Sequence, residues 1–309
     1  MATAVRGKAG WLFLDGDSNR TWAQFEGSLL LSEDVQEFWK RELDRRSSMA
    51  RQGGFEYRLV IAPNKESVYA EHVPSEYTKG ALTTFEQIKD IAAGRVDLID
   101  LHRLFDEHPD KQRLYHQNDT HWGDLGGLAA ANAIIQSLPS LGVQPISQDE
   151  IATESRDGIG DLGNKFDPPE TRSQIHAKAR HPAAREVYNN GVRNHGNIAV
   201  HEKGDGVGPV ILVFGDSFAG RAVHWLRERC RRLVRVHTTS LDAEIIAHEK
   251  PDAVISINVE RFLVRPPVSC ESFSVRNDIA EKLAADVAKS ASSGGRGAPS
   301  FGFYDAMLR

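Results

Sequence analysis

Val210-Ile211-Leu212-Val213-Phe214-Gly215-Asp216-Ser217-Phe218 is an apolar run closed by Gly-Asp-Ser-Phe. Apolar residues in unbroken succession, bounded by a glycine, predict a strand buried on both faces, as in a parallel sheet. Residues 219–232 then read as a helix. Strand, glycine turn and helix together bring Ser217 out at the rim of the sheet. There the helix N-terminus offers backbone N–H groups and the positive end of its dipole. A serine so placed is a candidate nucleophile beside an oxyanion hole. The plainer reading is that it caps the helix.

Outward from this stretch the pattern repeats. Residues 10–14, 57–62, 96–100, 235–238 and 253–257 read as strands, and 33–52, 82–94 and 125–138 as helices. The helix over 33–52 carries Val35, Phe38, Trp39 and Leu43 on one stripe and stops at Gly53-Gly54. Strands alternating with helices predict an α/β fold with a right-handed parallel sheet covered on both faces. One catalytic domain accounts for residues 1–289. Residues 143–208 lack periodicity and read as a long irregular, substrate-facing insertion. Residues 290–309, rich in Ser and Gly, read as a flexible C-terminal tail. No internal repeat is evident.

Bulk properties narrow the classes. With 309 residues, 40% apolar and 26% charged, the chain reads as an ordinary globular protein with room for a real core. A net charge of -5 argues against a nucleic-acid partner. Cys230 and Cys270 are the only cysteines, which excludes a disulfide framework or a cysteine-based zinc site; they could form one bridge but read first as two unrelated thiols. No segment is long and apolar enough to span a membrane. The first residues, Met1-Ala2-Thr3-Ala4-Val5-Arg6-Gly7-Lys8, hold no apolar signal region. The expected location is therefore cytoplasmic as written, or periplasmic if the chain is a fragment without its targeting segment.

Asp119-Thr120-His121 supplies what Ser217 lacks. In an extended segment residues i and i+2 point the same way. Asp119 would orient the imidazole, and His121 would take the hydroxyl proton of Ser217 and return it to a leaving group. Gly16-Asp17-Ser18 is a second triplet of the same kind, but the turn-like Asn19-Arg20-Thr21 follows it and not a helix. His116, Asp119 and His121 could alternatively ligate a metal, though nothing in their spacing is diagnostic. The expectation is a serine enzyme without a metal.

These residues resemble a known family. Gly-Asp-Ser after a strand, with an Asp and a His elsewhere, is the signature of SGNH (GDSL-type) hydrolases. Here the serine follows the Asp/His pair, so the strand order resembles a circular permutation of that flavodoxin-like three-layer fold. With Gly7-Lys8-Ala9-Gly10-Trp11-Leu12-Phe13, Pro63-Asn64-Lys65-Glu66-Ser67-Val68-Tyr69, Asp119-Thr120-His121-Trp122, Gly160-Asp161-Leu162 and Gly215-Asp216-Ser217-Phe218, the chain is similar to the alginate O-acetyltransferases of the AlgX and AlgJ type over about residues 7–265. The resemblance implies transfer of an acetyl group to a polysaccharide hydroxyl through an acetyl-serine. Ser217 would be the nucleophile, His121 the base and Asp119 its orienter. No cofactor is expected. The acetyl donor would be acetyl-CoA for a cytoplasmic enzyme, or an acetylated membrane partner for an exported one, as in the family.

Other positions are candidates for binding. The Ser217 N–H is the first oxyanion donor, and Asn258 or Arg261 stands where such enzymes supply another. Asn64 and Lys65 fall at the carboxyl edge of a strand, where ligands bind in open α/β sheets. Trp122 is the candidate for stacking on a sugar ring. Two further functions use the same residues: a carbohydrate acetylesterase, with water as acceptor, and a non-catalytic carbohydrate-binding scaffold.

Overall fold

The computed structural model describes residues 2–289 and 302–307. β1 (Thr3–Arg6) and β2 (Leu12–Asp15) form a separate antiparallel ribbon. α1 (Thr21–Phe25) and the long α2 (Glu33–Gly53) lead into β3 (Glu56–Ala62). α3 (Lys65–Val68) and α4 (Thr84–Ala92) lead into β4 (Asp97–Ile99). α5 (Leu101–Asp106) and α6 (Asp124–Gln136) precede a hairpin of β5 (Ile151–Gly158) and β6 (Arg172–Ala179), which encloses the single turn α7 (Gly160–Gly163). β7 (Ala184–Asn189), β8 (Ile198–Lys203) and β9 (Val210–Gly215) follow. The chain continues through α8 (Ala219–Leu226), β10 (Arg232–Val236), α9 (Ala243–Glu249), β11 (Ala253–Val259), α10 (Val275–Lys289) and α11 (Phe303–Ala306).

The main sheet runs β4-β3-β11-β9-β10-β8-β7. Its first five strands are parallel, and β8 and β7 add antiparallel at one edge. Every residue of β9 is buried. Ile211 and Val213 enter the core formed with α6 and α8, while Leu212 and Phe214 enter the opposite core formed with α2 and α9. Both faces are dry, which is why the run shows no polar alternation. Each such side chain removed from water contributes about 1.5–3 kcal/mol. α2 starts where the Ser32 side chain accepts the Val35 N–H and ends at Gly54, whose φ of 70° suits glycine.

β9 lies where the winding reverses. α8 packs in one core and leads to β10; α9 packs in the other and leads back across to β11. In open α/β sheets a crevice forms beyond the strand ends at such a point, and Ser217 stands there.

Two expectations are corrected. Residues 143–208 are not irregular: they hold the β5–β6 hairpin and the two antiparallel edge strands, so the sheet is only mostly parallel. The hairpin shows no strand period in the sequence because most of its side chains are polar, with β5 largely exposed and β6 half-buried. Of the expected tail, 290–301 and 308–309 lie outside the described residues. Phe303–Ala306 is a helical turn, with Tyr304 and Met307 buried in the α2/α9 core. The two cysteines are free, buried and on opposite faces of the sheet. Among the described residues, no helix is long and apolar enough to cross a membrane.

Candidate active site

The elbow after β9 is built around two residues. Gly215 has no room for a side chain, since a Cβ there would lie 2.7 Å from the Ile257 carbonyl oxygen and 2.7 Å from Ala219 Cβ. Asp216 is buried and stitches the turn to β11: its carboxylate accepts the Phe218 N–H at 2.9 Å and the Val259 N–H at 2.6 Å. Burial raises the Asp216 carboxyl above the usual carboxylate range, against the pull of those two donors. Ser217 alone in this stretch is exposed, between buried Asp216 and Phe218. The Ala219 and Gly220 amides bond back to Asp216 and Ser217 carbonyls. The Ser217 N–H has no such partner among the described residues and stays available.

Asp119 and His121 arrive from the far side of the chain. They are not extended: Asp119 Oδ1 accepts the His121 backbone N–H at 2.9 Å, closing an Asx turn. The same oxygen lies 3.0 Å from His121 Nδ1, and His121 Nε2 lies 2.9 Å from Ser217 Oγ. These partners assign the proton to Nδ1, leaving Nε2 free to accept from the serine. Burial pushes the Asp119 carboxyl up, but the His121 ring and backbone donors outweigh it and hold it at about 2. Asp119 is therefore anionic at neutral pH.

Trp122 joins the two halves and does not face a ligand. It is fully buried, its Nε1–H donates to the Phe218 carbonyl at 3.0 Å, and its ring meets Phe218 edge-on at 5.3 Å. A ring with no exposed face cannot stack on a sugar, so that expectation is corrected. Asn64, Lys65, Asn258 and Arg261 are also buried, and none of them lines the cleft in front of Ser217. The Lys65 ammonium donates to the Leu12 and Gln117 carbonyls at 2.7 and 2.9 Å, tying the N-terminal ribbon to the loop before Asp119. Arg261 lies 5.2 Å from the Phe218 ring and donates to Asn64 Oδ1 at 3.4 Å. These four form a supporting layer behind the elbow. Ser18 is exposed beside the β1–β2 ribbon, where Asp17 accepts the Asn19 and Thr21 N–H groups at the start of α1. His116 does not join Asp119 and His121 in a metal-sized cluster, and its ring packs beside His176.

The supporting layer contains unusual ionisation. Burial brings Lys65 down to about 7, against Asp119, Asp161 and Glu66, which favour its charge. Burial raises Glu66 to about 7 from 4.5. Because the folded value exceeds the unfolded one, Glu66 weakens the fold as pH climbs from about 4.5 through 7. Glu66→Gln removes this dependence. Its melting temperature should gain on wild type between pH 5 and pH 8, by the equivalent of up to about 3 kcal/mol. Paired melting curves at the two pH values check this; an unchanged difference contradicts it.

A cleft of about 610 Å³ opens on Ser217 and His121. One wall is α8, with Arg221 and His224; the other is the even-numbered face of the hairpin, with Glu154, Arg156, His176 and Lys178. Asp124 pins that wall in place: it pairs with Arg221 and accepts the Ala177 N–H at 3.1 Å. Asn118, fully buried, holds the other end through Gly158, Glu170 and Gln174. Nothing in the sequence marks Asn118 or Asp124, and Gly160-Asp161-Leu162 gives Asp161 no role of its own.

Comparison with known proteins follows the same lines. The family model described as "SGNH hydrolase-like domain, acetyltransferase AlgX" matches residues 4–235. Among solved structures, PatB1 from Bacillus cereus superposes with a TM-score of 0.66 at 14% identity, covering 85% of this chain and 97% of that one. The O-acetyltransferase domain of Pseudomonas putida AlgJ gives 0.58 at 18% identity, covering 92% and 100%. Pseudomonas aeruginosa AlgX gives 0.50 at 16%, covering 85% and 63%. At these identities the likeness is one of fold. No curated protein sequence matches the chain.

Proposed function

The chain belongs to the SGNH hydrolase-like acetyltransferase family of AlgX, and from that premise we propose that it acetylates a carbohydrate hydroxyl through an acetyl ester on Ser217. One observation carries the reading: Ser217 Oγ, His121 and Asp119, 96 residues apart from serine to histidine, form an unbroken hydrogen-bond chain at the floor of an open cleft.

In the first half-reaction His121 Nε2 takes the hydroxyl proton as Ser217 Oγ attacks the acetyl carbonyl carbon of the donor. The Ser217 N–H faces the oxyanion that develops. Asp119 stabilises the imidazolium and keeps its ring oriented. Collapse breaks the bond to the donor's leaving group, which His121 protonates, and leaves acetyl-Ser217. In the second half-reaction His121 takes the proton of an incoming sugar hydroxyl, whose oxygen attacks the acetyl-serine. Collapse releases the sugar ester and returns the proton to Ser217 Oγ. The polar walls of the cleft suit an acceptor that hydrogen-bonds along its length.

A second reading rests on the exposure of Ser217: water can reach the acetyl-serine, which makes the protein an acetylesterase. The two separate in one assay. The protein is supplied with p-nitrophenyl acetate and a panel of uronic, N-acetylated and neutral oligosaccharides. Transfer gives an acetylated oligosaccharide that Ser217→Ala does not produce. Nitrophenol and free acetate without any sugar ester would favour the esterase.

A further inference from the structure

Asp161 has no part in the steps above, yet it is woven into the same turn. Its carboxylate accepts the Thr120 N–H at 2.7 Å through Oδ1 and the Thr120 hydroxyl at 2.5 Å through Oδ2. Its own N–H donates to Asp119 Oδ2 at 3.3 Å. Its Oδ2 lies 3.8 Å from His121 Nδ1. One residue thus grips the first and middle members of the Asp119-Thr120-His121 turn and turns a carboxylate toward the third.

The backbone that presents Asp161 is fixed. Gly160 has a φ of +64°, and a Cβ there would fall 2.1 Å from the Asn118 carbonyl oxygen. That carbonyl also accepts the Leu162 and Gly163 N–H groups at 3.1 and 3.2 Å. A glycine is needed to bring the turn this close, and Asp161 follows it directly. A surface acid of no consequence needs neither constraint.

We infer that Asp161 is a positioning residue of the active site, setting the Asp-Thr-His turn and adding a second carboxylate to the field felt by His121. The inference rests on the serine reading proposed above. The charged and titratable groups around His121 are then Asp119 and Asp161 beside Nδ1, Lys65 and His116 on the side of Asp119, and Asp216 under the elbow. Two carboxylates favour the imidazolium that forms when Ser217 gives up its proton. Asp119 makes the direct bond. Asp161 holds Asp119 and Thr120 in place and adds charge from its partly exposed position.

The test compares Asp161→Asn with wild type on p-nitrophenyl acetate from pH 5 to pH 9. Removing one negative charge takes away part of the field that favours the imidazolium. The acid limb of kcat/KM should therefore move to lower pH, with a fall in kcat of about tenfold. A purely structural role would lower the rate without moving the limb. Thr120→Val, which loses the hydroxyl but keeps both carboxylates, should lower kcat several-fold and leave the limb in place. It also serves if Asp161→Asn melts too early to assay. Wild-type kcat and pH profile in Asp161→Asn, or wild-type kcat in Thr120→Val, overturns the inference. So does loss of wild-type activity in EDTA that a divalent metal restores, since the carboxylate would then be a ligand. Ser217→Ala run alongside separates the failures. If that variant retains turnover, the serine reading fails; if it is inactive while Asp161→Asn behaves as wild type, only the role of Asp161 fails.

Discussion

Ser217→Ala releases nitrophenol from p-nitrophenyl acetate at least about a thousandfold more slowly than wild type, with an unchanged melting temperature. Ser217 is exposed, and its side chain supports no packing. The elbow is held by Gly215 and by the two amide bonds to Asp216, neither of which needs the hydroxyl. The variant therefore loses the nucleophile and keeps the site. His121→Ala should cost about as much, and the double variant little more, because the two groups act as one unit. A loss that multiplied across the two substitutions would mean that they act separately. Equal rates in Ser217→Ala and wild type would remove Ser217 from the chemistry altogether.

Asp119→Asn lowers kcat by about a thousand- to ten-thousandfold, although it changes hardly any volume. Asp119 Oδ1 accepts from both the backbone and the ring of His121, and Oδ2 accepts the Asp161 N–H. An amide has one acceptor oxygen to serve donors on both sides. Either its NH2 faces the Asp161 N–H, or it faces Nδ1 and forces the proton onto Nε2. In the second arrangement Nε2 can no longer take the serine proton. Even with the tautomer intact, the imidazolium loses its direct anionic partner. Steady-state rates on the same ester, with circular dichroism to verify folding, check this. A fall of less than about tenfold would show that the Asp119–His121 bond serves the fold and not the base.

The parts legible in the sequence were those in which one physical constraint dominates. An unbroken apolar run must be buried on both sides, so β9 could be placed, and with it the serine at its end. The same logic recovered β3 and β11. The turn read after Ser18 is a weaker argument against that residue, since α1 begins at Thr21; its strand β2 pairs only with β1, outside the main sheet. The hairpin β5–β6 was illegible because it puts only Ile151, Ala177 and part of Ala179 into a core and its other side chains are mostly polar, so neither face carries an apolar period. Trp122 was misjudged because a tryptophan next to a histidine reads the same whether it faces a sugar or, as here, props the elbow through Phe218. Lys65 shows the converse. A lysine past a strand end reads as solvent-facing or ligand-binding, and only the fold reveals two backbone carbonyls waiting for it. Asn118, Asp124 and Asp161 act through contacts made 40 or more residues away. No local pattern marks such residues, although the glycine before Asp161 was a visible sign that the backbone there is constrained.

The reading of the site stands on one covalent species. The most direct measurement is the intact mass of the protein after brief exposure to p-nitrophenyl acetate and rapid quenching, followed by proteolysis to locate the adduct. Wild type should gain the mass of one acetyl group, carried on the peptide that contains Ser217, and lose it again when the ester is exhausted before quenching. Ser217→Ala should gain none at that peptide. An acetyl group found elsewhere, or turnover of the ester with no acetyl on Ser217 at any time, would contradict serine acyl chemistry in this protein.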